Sequence, residues 1–121
     1  VPTSNAAKVF LKPIDMINLQ PSKMHGRANA ASGLLAALAN RNRLMILCHL
    51  VDTEVTVTEL MDLVGMSQSA MSQQLAKLRA ANLVSTRRDG QQIYYRLASN
   101  EVERILQLLY TIYCVEDDSR G

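Results

Sequence analysis

A chain of 121 residues, 48% hydrophobic and 20% charged, holds enough apolar material for one domain with a small core. No apolar run reaches the length of a membrane span and no secretory signal is visible, so a soluble cytoplasmic protein without a membrane partner is expected. Net charge is only +2, yet residues 67–96 carry Lys77, Arg79, Arg87, Arg88 and Arg96 against Asp89 alone, and residues 97–121 are net acidic; this suits a polyanion touched by one part of the chain.

Residues 1–21 contain all three prolines and no sustained period, and read as an arm with a short helix around residues 14–19. One folded domain is expected over residues 22–117, followed by a tail over 118–121. Residues 22–39 are rich in Ala, Leu and small side chains and predict a closely packed helix, weakened at Gly26 and Gly33. Asn40 is the expected N-cap of a second helix over residues 41–51, with Leu44, Leu47, Cys48 and Val51 inward. Thr56 or Thr58 then opens a short helix ending at Val64, with Leu60, Leu63 and Val64 inward. Gly65 stops that helix and Ser67 caps the next.

The stretch 67–79 predicts a helix with two incompatible faces. At about 100° per residue, Met71, Leu75 and Leu78 fall together. Ser69, Ser72, Gln73 and Ala76 lie roughly opposite, with no carboxylate among them. Ser and Gln exchange hydrogen bonds with base edges in a major groove. The alternative for such a face is plain solvated surface. Preceded by a short helix and a glycine turn, it reads as the second helix of a helix-turn-helix. Gln68, Ser69, Ser72 and Gln73 are the expected base readers, and Ser67 and Lys77 the expected phosphate contacts.

After Asn82 the period changes to two. Residues 84–88 and 91–97 flank Asp89-Gly90, a two-residue hairpin signal. A basic hairpin following a helix-turn-helix reads as a wing whose arginines, Arg87 and Arg88, reach phosphate or an adjacent minor groove; Arg88 and Gln92 are the expected wing contacts, with Gln91 beside them, and ordinary basic surface is the alternative. The last helix is expected from Asn100 to about Glu116, with Asn100 and Glu103 as its capping pair. Val102, Ile105, Leu106, Leu109, Ile112 and Tyr113 form a stripe wide for so small a domain. It is expected to serve partly the chain's own core and partly a partner subunit, since a reader of palindromic double-stranded DNA must be a dimer. The alternative leaves the whole stripe in the monomer core. The fold expected is therefore mainly α with a β-hairpin wing, a winged helix-turn-helix dimerised through terminal helices. Only two histidines, His25 and His49, are present and no nucleophile–base spacing is evident, so neither an enzyme nor a cofactor is expected.

Four linked motifs carry a family resemblance across roughly residues 27–115. Residues 39–47 (ANRNRLMIL), 57–60 (VTEL), 67–75 (SQSAMSQQL) and 91–97 (QQIYYRL) resemble, in order and spacing, the signatures of ArsR/SmtB-type winged-helix repressors. The resemblance implies a homodimeric transcriptional repressor whose inducer binds away from the DNA face. Both metal sites known in that family look absent. Met61 and Asp62 stand where one would have cysteine. Ser99, Glu101, Ile112 and Val115 stand at the positions of the other, and a tetrahedral site needs a full ligand set.

Cys48 and Cys114 are the only cysteines. On residue type alone, two unrelated core thiols are the default for a cytosolic protein. The segments CHLV at 48–51 and LYTIYC at 109–114, however, resemble the branch of the family that represses sulfide-oxidation and biofilm-growth genes and responds to persulfides and polysulfides. That resemblance implies that Cys48 and Cys114 join through a disulfide or polysulfide bridge and that reactive sulfur species are the inducer. Cys114, near a helix end, is expected to be the more accessible thiol, and Cys48, on an apolar face, the less reactive. Two alternatives keep the fold: a sensor of arsenite or another thiophilic metal, or a constitutive DNA-architectural or anti-silencing protein with inert cysteines.

Overall fold

The computed structural model describes residues 18–115. The expected helix around residues 14–19 lies mostly outside them, and Asn18, Leu19 and Gln20 are not helical. The chain divides into two compact units at Ser32 and Gly33. The described part of the first holds α1 (Pro21–His25) and the opening of α2 (Ala28–Leu38). A single helix over 22–39 was expected; it is broken at Gly26 and Arg27, which form a turn although Gly26 keeps right-handed geometry (φ -74). Pro21 occupies the first turn of α1, where its missing N–H costs nothing.

The second unit contains the rest of α2, α3 (Arg41–His49), β1 (Val55–Thr56), α4 (Val57–Val64), α5 (Gln68–Ala80), β2 (Val84–Asp89), β3 (Gln92–Leu97) and α6 (Asn100–Tyr113). Asn40 caps α3 by accepting the Arg43 N–H at 3.0 Å. Thr56 caps α4 in a reciprocal box: its hydroxyl accepts the Glu59 N–H at 3.2 Å, and the Glu59 carboxylate accepts the Thr56 N–H at 2.9 Å. Gly65 ends α4 in the left-handed region at φ 80, donating to the Met61 carbonyl, and Ser67 starts α5 by accepting the Ala70 N–H. The turn between α4 and α5 is thus three residues long, from Gly65 to Ser67.

Leu60 from α4 and Met71, Leu75 and Leu78 from α5 are buried against Ile46 and Leu47 of α3 and Val102 of α6. Burying these apolar faces is what fixes the helix-turn-helix angle. Leu63, expected inward, is 53% exposed, because the buried stripe of α4 runs through Leu60 with Val57, Met61 and Val64 at its edges. Cys48, also expected inward, is exposed, whereas Ile46 takes the buried position.

The sheet has three strands in the order β1-β3-β2, all antiparallel. The short β1, absent from the sequence reading, pairs Val55 with Tyr95 and Thr56 with Tyr94. The hairpin is offset by one residue from expectation: Asp89 pairs with Gln92, so the loop is Gly90-Gln91. Only Gly90 has positive φ there (64), so the first loop position alone demands glycine and Asp89 stays in the strand. At the start of α6, Ser99 rather than Asn100 is the cap, its hydroxyl accepting the Val102 N–H at 3.1 Å.

Candidate DNA-reading face and dithiol site

The side chains expected to meet DNA all lie on the surface. Ser67, Gln68, Ser69, Ser72, Gln73 and Lys77 are exposed along α5, and Arg88 and Gln92 are exposed on the wing. Ser67 is occupied as the helix cap and also lies 3.4 Å from the Ser69 hydroxyl. The intervening Gln74 is half-buried and is used internally, accepting from Arg43 Nη1 at 3.3 Å. Arg43 further donates from Nε to the Ala37 carbonyl (2.8 Å) and from Nη2 to the Ala36 carbonyl (3.2 Å). It satisfies the open carbonyl end of α2 and ties it to α5. Sequence reasoning missed this role. Nothing in the Asn-Arg-Asn-Arg run distinguishes Arg43 from Arg41.

The wing arginines differ sharply. Arg87 Nε donates to both Glu54 carboxylate oxygens (3.0 and 3.2 Å), and its Nη2 reaches Oε1 at 2.8 Å. Its guanidinium lies 4.6 Å from the centre of the Tyr94 ring. Arg87 on β2 therefore crosses its direct partner on β3 to reach Glu54 just before β1. These hydrogen bonds hold the Glu54 carboxyl below its ordinary range. Arg87 is thus not free to reach phosphate as expected. Arg88 has no ion-pair or hydrogen-bond partner among the described residues. Strand alternation puts it on the face opposite Arg87, with Ile93 across from it. Gln92 opposes Asp89 and shares the Arg87 face, so Arg88 and Gln92 occupy opposite faces of the wing.

The α6 stripe divides along its length. Val102 (0% exposed) and Leu106 (4%), both expected at a dimer face, belong to the chain's own core. They are buried with the core cluster, so their area is not open to a partner. Ile105 and Leu109 are half-buried, while Ile112 (55%) and Tyr113 (71%) remain open, joined by Tyr110 (54%), which the sequence reading did not include.

Cys48 on α3 is exposed and Cys114, at the C-cap of α6, is half-buried, the reverse of the expected order of accessibility. Between the two helices runs an open groove of about 430 Å³. Cys48, Val51, Leu106, Gln107, Tyr110 and Thr111 line it. Cys48 reaches solvent, but its sulfur is crowded on one side. Burial first, and the neighbouring Cys114 thiolate second, push the Cys48 thiol above its ordinary range. Cys114, at the end of α6, thus lies near enough to Cys48 for its charge to bear on that thiol. Among the described residues, no group of three or more His, Cys, Asp or Glu side chains is placed to hold a metal ion. No described helix is long and apolar enough to cross a membrane.

A three-residue turn between two packed helices, an exposed amide-rich second helix and a following β-hairpin define a winged helix-turn-helix regulator. The chain belongs to the ArsR family. The family described as "Bacterial regulatory protein, arsR family" matches residues 40–86. The nodulation protein NolR of Rhizobium meliloti is 52% identical over 99 residues, covering 82% of this chain and 81% of NolR. The structure of reduced HlyU from Vibrio cholerae N16961 superposes with a TM-score of 0.72 at 46% identity, covering 76% of this chain and 97% of HlyU. The crystal structure of the transcriptional repressor BigR from Xylella fastidiosa gives 0.76 at 40% identity, covering 80% and 99%. BigR is named a transcriptional repressor and HlyU of Vibrio cholerae a transcriptional activator, and the family is one of bacterial regulatory proteins, not enzymes.

Proposed function

We propose that this chain is a homodimeric transcriptional repressor of a palindromic operator, released when reactive sulfur species link Cys48 to Cys114. The observation that supports the sensing role is the placement of Cys48 on the wall of the α3–α6 groove, facing the helix that ends at Cys114. Gln68, Ser69, Ser72 and Gln73 read base edges, with Ser67 and Lys77 on phosphates and Arg88 and Gln92 acting from the wing. Ile105, Leu109, Ile112 and Tyr113 serve the dimer, and Tyr110 adds to that surface.

The chemistry balances without a metal. A thiolate takes the outer sulfur of a hydropersulfide and releases the parent thiolate. Attack by the second cysteine on the first sulfur then expels hydrosulfide and closes a disulfide. Where both cysteines have been persulfidated, loss of one hydrosulfide leaves a three-sulfur bridge, which spans a wider gap than a direct disulfide tolerates. Either bridge ties α3, which packs behind the helix-turn-helix, to the helix that carries the dimer surface. Reading heads that must fit half-sites one DNA turn apart, about 34 Å, lose affinity when their spacing changes. A coupling of ~1–3 kcal/mol is ordinary for such a switch.

The test is intact-protein mass spectrometry with peptide mapping after exposure of the reduced protein to inorganic polysulfide, with operator binding measured on the same sample. A Cys48–Cys114 cross-link accompanied by weakened binding is expected. Complete cross-linking with unchanged operator affinity would refute the sensing role.

A further inference from the structure

The α3–α6 groove beside Cys48 has a largely apolar lining. Among the described residues that line it, none is charged, and the polar ones are Cys48, Gln107, Tyr110 and Thr111. The Thr111 hydroxyl is already engaged, donating to the Gln107 carbonyl of its own helix at 3.0 Å. Val51 and Leu106 supply the apolar wall. A donor with ionised carboxylates must shed water to lie here and finds no cation in return, whereas an aromatic or alkyl group is drawn in by burial.

We infer that the α3–α6 groove is a binding site for the organic part of low-molecular-weight hydropersulfides, and that it selects uncharged, apolar donors over charged ones such as glutathione persulfide. This rests on the dithiol reading above and adds the substrate class. The groove holds the apolar group against Val51 and Leu106 and presents the outer sulfur to Cys48, the cysteine on its wall. The Cys48 thiolate bonds to that outer sulfur. The sulfur–sulfur bond of the donor breaks, and the parent thiolate departs with the electron pair. Cys114 then attacks the Cys48 sulfur and expels hydrosulfide, leaving the protein disulfide. The dithiol is oxidised by two electrons, and the donor's sulfane sulfur is reduced to sulfide.

The experiment compares second-order rates of Cys48–Cys114 bridging by benzyl hydropersulfide and by glutathione persulfide on the full reduced chain. Each rate is divided by that donor's rate with a free cysteine peptide. A normalised preference of about tenfold for the benzyl donor is expected, the scale set by filling or leaving empty a small apolar site. Gln107→Lys, an exposed change on the groove wall, should raise the glutathione persulfide rate and narrow that ratio. Equal normalised rates in the native chain overturn the groove's selectivity while leaving the dithiol switch standing. Absence of bridging with either donor overturns both. A preference that survives Gln107→Lys unchanged places the selection elsewhere and also overturns the assignment.

Discussion

The unequal wing arginines make the sharpest prediction. Arg87 is neutralised by Glu54 at 2.8 Å and lies 3.9 Å from Asp89, whereas its neighbour Arg88 is exposed and has no partner among the described residues. Each phosphate neutralised by a cation releases condensed counterions and adds about 0.9 to the slope of log affinity against log salt. A dimer placing one Arg88 on each half-site makes two such contacts. Arg88→Ala should therefore flatten the slope by about 1.8, so that between about 50 and 200 mM salt the variant loses roughly tenfold less affinity than the native protein. Arg87→Ala removes a charge whose field is already cancelled. Its slope should stay near the native value, while affinity falls uniformly because the wing loses its tie to Glu54 and Tyr94. Fluorescence anisotropy of a labelled operator duplex across a salt series measures both variants. Equal flattening by the two would show that the Glu54 pair opens on DNA, and the reasoning from the free structure would fail.

Other outcomes follow from the same geometry. Lys77→Ala should weaken binding to operator and random DNA alike, whereas Gln73→Ala should narrow the gap between them; parallel behaviour of the pair would sink the division into phosphate and base contacts. Cys114→Ser removes one of the two causes that raise the Cys48 thiol, so the pH profile of Cys48 alkylation by iodoacetamide should move to lower pH while burial keeps it above the ordinary range. An unmoved profile would mean the thiols are not neighbours. Gly65→Ala puts a side chain at φ 80 where no other atom crowds it, so only the backbone penalty of about 1–2 kcal/mol should appear as a lower Tm. Leu75→Ala, at a position 1% exposed, should cost about 2–5 kcal/mol in urea unfolding, with the slope of the transition unchanged.

Local signals carried most of the fold. Gly65 and Ser67 mark the turn because a left-handed stop and a hydroxyl cap are properties of one or two residues. The Met71, Leu75 and Leu78 spacing orients α5, since helical period alone decides which side chains fall together. The hairpin was legible to within one residue, its register settled by which loop position needs positive φ. The two-residue β1 has too short a pattern to read, and it forms only because β3 offers an edge.

The sequence by itself therefore determined the order of helices, the turn, the wing and the identity of the two cysteines, all of which rest on contacts close along the chain. Tertiary structure alone decided what each surface residue is free to do. Arg87 and Arg88 are adjacent and alike in sequence, but Glu54, 33 positions away from Arg87, claims one of them. Val102 and Ile112 lie on one stripe, but only Val102 meets the core. Cys48 and Cys114 are brought near one another, with Cys48 the more exposed, because the last helix lies beside α3. Pairings over such separations depend on how packed helices sit in space, and no local period encodes that.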